Sequence, residues 1–147
     1  MLVEIIEDDH LILDGFKICK IKKENIQSSS IGNGLEIIYH LNKWVKDNGC
    51  GPMMAFEEYQ AAVSYLNHLK DDVHNSAFQF ALFQCKIIPH KERFFKIPHP
   101  FQFITNPDFF KINSYSKQTP DIRKNFLTPP KNTIFADYIK LTRKVKR

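Results

Sequence analysis

Apolar and polar positions alternate with two different periods along this chain, and each period predicts a different element. Phe16, Ile18 and Ile21 interleave with Lys17, Lys20 and Lys22, the two-residue alternation of a half-exposed strand, and Asp14-Gly15 predicts a turn before it. Residues 2–6 and 10–13 predict a preceding hairpin around Glu7, Asp8 and Asp9. A turn cluster over 28–34 leads into 35–45, whose β-branched and aromatic content predicts one strand running into Trp44. After the tight loop Asn48-Gly49-Cys50-Gly51-Pro52, residues 53–56 predict a short buried strand and 57–69 an amphipathic helix. Glu57 and Glu58 suit the positive N-terminal end of that helix, and Ala61, Ala62, Tyr65, Leu66 and Leu69 recur at helical spacing on one face. Residues 71–75 end the helix, 77–88 form an apolar-aromatic run stopped by Pro89, and 133–145 predict a terminal strand carrying Ile134, Ala136, Ile139, Leu141 and Val145. Strands, one helix and further strands predict an α+β fold with a mostly antiparallel sheet, in a single domain over 1–147.

Prolines change this picture in one place. Pro89, Pro98, Pro100, Pro107, Pro120, Pro129 and Pro130 fall in one basic, phenylalanine-rich block. Proline removes a backbone donor and fixes φ, so no continuous helix or central strand passes through it. A long Pro/Phe-rich excursion over 89–130, an enlarged loop or arm, is expected, and long connections of this kind commonly carry function.

Composition narrows the class. Hydrophobic residues make up 43% and charged residues 25% of 147, with 13 phenylalanines, as in a folded domain rather than a disordered chain. No apolar run reaches the roughly 18 residues that span a bilayer, and the first ten residues are acidic rather than basic, so neither a membrane span nor a targeting peptide is expected. The expected location is the cytoplasm, or the host cytoplasm for a viral protein. Cys19, Cys50 and Cys85 are widely spaced and read as reduced, packed thiols.

Charge is divided along the chain. Residues 1–85 hold 7 Lys/Arg against 12 Asp/Glu, and residues 86–147 hold 14 against 4. Such polarity steers an anionic partner to one face, and equally lets two copies associate head to tail. Basic residues of the second half stand among aromatics, and a cation beside an aromatic plane suits phosphate neutralisation and base stacking. Arg93, Lys96 and Arg123 are the candidates against phosphates, and Phe94, Phe95 and Trp44 the candidates for stacking.

The ordered set Trp44, Gly51-Pro52-Met53-Met54-Ala55-Phe56, Ala61-Ala62, Cys85 and Thr133-x-x-Ala136-Asp137-x-Ile139-Lys140-Leu141 resembles a group of small uncharacterised proteins of bacteria, phages and large viruses. The resemblance covers about two thirds of the chain, omits most of the proline-rich block and implies a fold rather than a chemistry. Residues 53–88 are also similar to the NAD-holding half of ADP-ribosyltransferase-like folds. That resemblance puts Tyr39-His40 and Tyr59 in the family's site positions, but the last strand offers Asp137 where those enzymes commonly carry a Glu.

Other chemistry finds no support in the spacing. His68 and His74 straddle a helix end, and His90 and His99 flank Lys91, Arg93 and Lys96, so neither pair has the disposition of a metal site. Nucleophile-elbow, phosphate-loop and dinucleotide glycine patterns are missing. No cofactor and no metal is expected. The reading is a non-catalytic binding protein, of viral or phage accessory type, that recognises an acidic ligand, a nucleotide-like metabolite or a nucleic acid, through a basic-aromatic surface. The alternatives are a module for binding a protein partner or for self-assembly into a homo-oligomer through the Phe/Pro block, and a degenerate ADP-ribosyltransferase.

Overall fold

The computed structural model describes residues 2–28, 37–46, 53–71, 78–90 and 132–146, together with the short strands at 97–98 and 126–127. Its elements are β1 (Leu13–Lys22), β2 (Asn25–Ser28), β3 (Ile38–Tyr39), β4 (Trp44–Lys46), β5 (Met53–Phe56), α1 (Tyr59–Asp71), β6 (Gln79–Pro89), β7 (Ile97–Pro98), β8 (Phe126–Leu127) and β9 (Thr133–Lys144). Every strand pair is antiparallel, and α1 is the one α-helix among the described residues, as an α+β fold requires.

The sheet curls into a ring. β6 pairs with β1 from Leu13↔Ile87 to Ile21↔Gln79 and with β9 on its other edge. β9 pairs with β5 over Met53↔Ala136 to Phe56↔Thr133, and β5 returns to β1 through the single pair Phe16↔Phe56. Four strands therefore form a closed barrel. β2 and β3 extend from the far half of β1, and β4 lies beyond β5 on the same edge of β9.

Inward-facing residues alternate with outward-facing ones along each strand. Cys19, Val45, Met53, Ala55, Ala81, Phe83, Cys85, Ile87, Ala136, Ile139 and Leu141 pack the interior with Tyr39. On the outer face, Ile18, Phe56, Phe80 and Leu82 pack beneath α1, which contributes Ala62 and Leu66. Ala62 and Leu66 lie one turn apart on the face the sequence predicts, with Ala61, Tyr65 and Leu69 partly buried beside them.

Several local expectations change. β1 is buried on both faces, so Lys17 and Lys20 are buried while Lys22 is exposed. Asp14 and Gly15 are inside β1 rather than a turn before it. The hairpin over 2–13 is replaced by one bridge, Leu2↔Val45, and a 3₁₀ turn at Glu7–Asp9. The single strand over 35–45 is broken between β3 and β4, where Asn42 takes φ 62° and its N–H donates to the Leu141 carbonyl; asparagine tolerates that left-handed conformation. β9 carries two register shifts against β6, leaving Asp137 and Thr142 as extra residues. The bulge at Asp137 moves the inward set from Ile134 and Ala136 to Ile139 and Leu141, and that at Thr142 follows Leu141.

The expected turns at 29–34 and 48–52, and all but Asp71 of that at 71–75, lie outside the described residues. So does most of the excursion over 89–130, of which Ile97–Pro98 pairs with Phe126–Leu127. No helix among the described residues is long and apolar enough to cross a membrane.

Candidate functional site

One outward-facing row crosses four strands. Trp44 of β4 lies opposite Lys140 of β9, Lys140 opposite Lys86 of β6, and Lys86 opposite Asp14 of β1. Their sequence neighbours, Val45, Ile139, Leu141, Cys85 and Ile87, fill the barrel, so the alternation turns this row outward. Two ammonium groups thus face each other across adjacent strands. Like charges in that position are unfavourable, and the fold answers each with a carboxylate from the acidic half of the chain.

Lys86 Nζ is 3.3 Å from Asp14 Oδ1, with the aspartate side chain 88% exposed. Lys140 Nζ is 3.1 Å from Glu7 Oε2 and sits 5.2 Å from the centroid of the Trp44 ring, within cation–π range. Trp44 itself is only 6% exposed, and the N-terminal arm runs beside it: Val3 N–H donates to the Trp44 carbonyl at 3.1 Å, Glu7 reaches Lys140, and the His10 ring lies 6.4 Å from that of Tyr138. Asp14 is held by one exposed contact. Asp14→Ala is therefore expected to cost under about 1 kcal/mol in urea unfolding, and a loss above about 2 kcal/mol would make the carboxylate part of the framework.

The indole N–H of Trp44 is buried and has no hydrogen-bond acceptor among the described residues. Buried donors are nearly always paired, and an orphan costs about 1–3 kcal/mol. The atom is closed to solvent, so a ligand acceptor reaches it only when the groups that cover the indole move. Gln27 Oε1 on β2 is the other such atom among the described side chains, and it lies on the face of Lys20 and Phe80.

A second titratable cluster lies inside the barrel. Lys17 Nζ donates to the Met54 carbonyl at 2.6 Å, and burial holds its amine below the ordinary value of 10.5 despite the opposing influence of Cys19 and Cys85. Burial pushes both thiols up to about 12 and raises the Tyr39 phenol well above 10.0. The Tyr39 hydroxyl donates to Met53 Sδ at 3.4 Å. Burial thus disfavours the thiolates of Cys19 and Cys85 and the phenolate of Tyr39, the opposite of what a cysteine or tyrosine nucleophile needs.

The remaining candidates separate. Tyr39 is in the interior core, His40 is exposed beyond it, and Tyr59 packs edge-on against Phe16 on the helix side at 5.5 Å, so the residues named by the ADP-ribosyltransferase resemblance occupy different surroundings. Asp137, at a β9 bulge, shares a 2.7 Å hydrogen bond with His90 Nδ1. A groove of about 420 Å³ beside α1 is lined by Glu58, Tyr65, His68 and Asn132 among others; its carboxylate disfavours an anion. No three His, Cys, Asp or Glu side chains gather as a metal centre among the described residues.

Of the residues singled out from sequence, Trp44 belongs to the outer row. Arg93, Phe94, Phe95, Lys96 and Arg123 lie outside the described residues. Lys86, Lys140, Glu7 and Asp14 were not singled out. A local signal existed for Lys86, between Cys85 and Ile87, and for Lys140, between Ile139 and Leu141: a cation flanked by core residues points outward. No family model, curated protein or solved structure matches the chain, so the residues themselves carry the functional argument.

Proposed function

We propose that this chain is a non-catalytic binding protein that recognises an acidic ligand through the face formed by Trp44, Lys140 and Lys86. The indole N–H, buried without an acceptor among the described residues on a ring within cation–π range of the Lys140 ammonium, carries the reading. It joins two adjacent cations, an aromatic plane and a buried donor, the groups that hold a carboxylate or phosphate. The carboxylates now on Lys86 and Lys140 are partly or largely exposed, so a stronger anion replaces them at small cost. A nucleotide-like metabolite or a nucleic acid fits the charge division of the sequence. Binding of a protein is the second reading, favoured by Leu2, Ile6 and Leu11, which are 52%, 70% and 69% exposed along the arm beside this face.

Trp44 is the single tryptophan of the chain, so its fluorescence reports the site without interference. Titration with ATP, a short oligothymidylate and polyglutamate is expected to change Trp44 emission for at least one of them, with affinity falling as salt rises. Lys140→Ala is expected to weaken that binding about tenfold or more, the loss of one charge-assisted contact. Unchanged emission with all three anions, in low salt, would remove the proposal.

A further inference from the structure

The arm on this face is bound in the manner of a peptide. β4 ends the strand order of the sheet, and the edge it turns away from β9 receives the arm by the antiparallel bridge Leu2↔Val45 and the hydrogen bond from Val3 N–H to the Trp44 carbonyl. Four residues further on, Glu7 places its carboxylate on Lys140. The arm adds little to either core: Leu2, Ile6 and Leu11 are exposed, and none of residues 2–11 belongs to either buried cluster. Main-chain pairing to an open edge plus one anchored side chain is how extended peptides are recognised by strand addition.

We infer that the Trp44–Lys140 face is a docking site for an acidic, extended segment of a partner protein, and that the chain's own residues 2–10 are its resident occupant. This rests on the acidic-ligand reading and names the ligand as a polypeptide. Two observations favour a peptide over a nucleotide: the occupant seen there is a peptide, and the edge of β4 offers backbone groups that a nucleotide leaves unused. Glu7 begins the run Glu7-Asp8-Asp9, of which Glu7 holds Lys140, so a partner needs an acidic residue near that position and an extended stretch before it. The resident arm competes at the effective concentration of a tethered segment, in the millimolar range for short links, so a partner segment gains access when the arm's grip is weakened.

The test uses the full chain and a synthetic peptide of residues 2–11, followed by Trp44 fluorescence. Glu7→Lys turns the attraction at Lys140 into repulsion and frees the site. That variant is expected to bind the peptide at least tenfold more tightly than the wild-type chain does, and a peptide carrying Gln in place of Glu7 is expected to bind about tenfold more weakly. Glu7→Gln, a milder change, serves as the second variant should Glu7→Lys not fold, with the same order of affinities expected. Failure of a folded variant to bind the peptide overturns the inference. If ATP or oligothymidylate binds the same variant while the peptide does not, the acidic-ligand reading stands and the polypeptide ligand is wrong; if none binds, both fall.

Discussion

Gly15→Ala should destabilise the protein by about 3 kcal/mol, and Gly15→Val by more, because the barrel closes at this residue. A Cβ built on Gly15 meets the Phe56 carbonyl oxygen and Ile87 Cδ1, each at 2.6 Å. The isoleucine tip has rotamers to retreat into. The carbonyl is backbone, belonging to the residue that pairs with Phe16 to join β5 to β1, and it moves only if that junction opens. Replacing glycine by alanine ordinarily recovers a few tenths of a kcal/mol from the unfolded chain, too little to offset the clash. Urea midpoints of wild type, Gly15→Ala and the double variant with Ile87→Val separate the two contacts. The double variant should recover only part of the loss, and full recovery would place the strain on the side chain instead of the closure.

The second large effect is a stability profile with two opposed limbs at alkaline pH. Lys17 is held below its ordinary value of 10.5 by burial, so the unfolded chain binds the proton more tightly than the folded one. Its contribution to stability therefore improves as pH rises from the lowered value to 10.5 and is constant above. Each unit of lowering corresponds to about 1.4 kcal/mol. Cys19 and Cys85 act in the other direction. Their thiols go from 9.0 to about 12 on folding, so the stability from keeping them neutral is complete below pH 9 and is lost between 9 and 12, on the order of 4 kcal/mol for each thiol over the whole range. Tyr39, raised above 10.0, adds to the loss at the top of that window. Lys17→Met isolates the first limb. The stability difference between wild type and variant should shift in favour of wild type as pH rises and level off above 10.5. A difference independent of pH would mean that burial does not hold the amine below its ordinary value.

These two residues also show where sequence reading reaches its limit. Gly15 follows Asp14, a pair with the local signature of a turn, and its actual role depends on β5, about forty residues away. Lys17 and Lys20 alternate with Phe16 and Ile18, which locally marks a wet face. Both lysines are covered because the ring puts one inside the barrel and the helix side covers the other, with Lys20 Nζ 4.7 Å from the Phe78 ring. β5 and α1 were legible because their patterns are short-range: a four-residue apolar run, and a face whose members Ala62 and Leu66 need only one turn of helix to meet. Residues 133–145 were legible as a strand but not as an inward and an outward set, since the bulges at Asp137 and Thr142 reset the alternation twice. In the candidate site, Trp44 was legible as an aromatic suited to stacking. Its neighbours Lys140, Lys86 and Asp14 come together through pairings between strands 54 to 96 residues apart, which no local pattern encodes.

The closure through one residue pair also sets how this barrel breathes. β6 is hydrogen-bonded along both edges to β1 and β9, so its amides open only when most of the sheet does. The β1–β5 junction is spanned by Phe16↔Phe56 alone and opens without disturbing β6. Amide hydrogen exchange is then expected to be slowest at Leu82 to Ile87 and much faster at Phe56. Water entering through that seam reaches Lys17 first, since the Met54 carbonyl that holds its amine belongs to the strand that swings away.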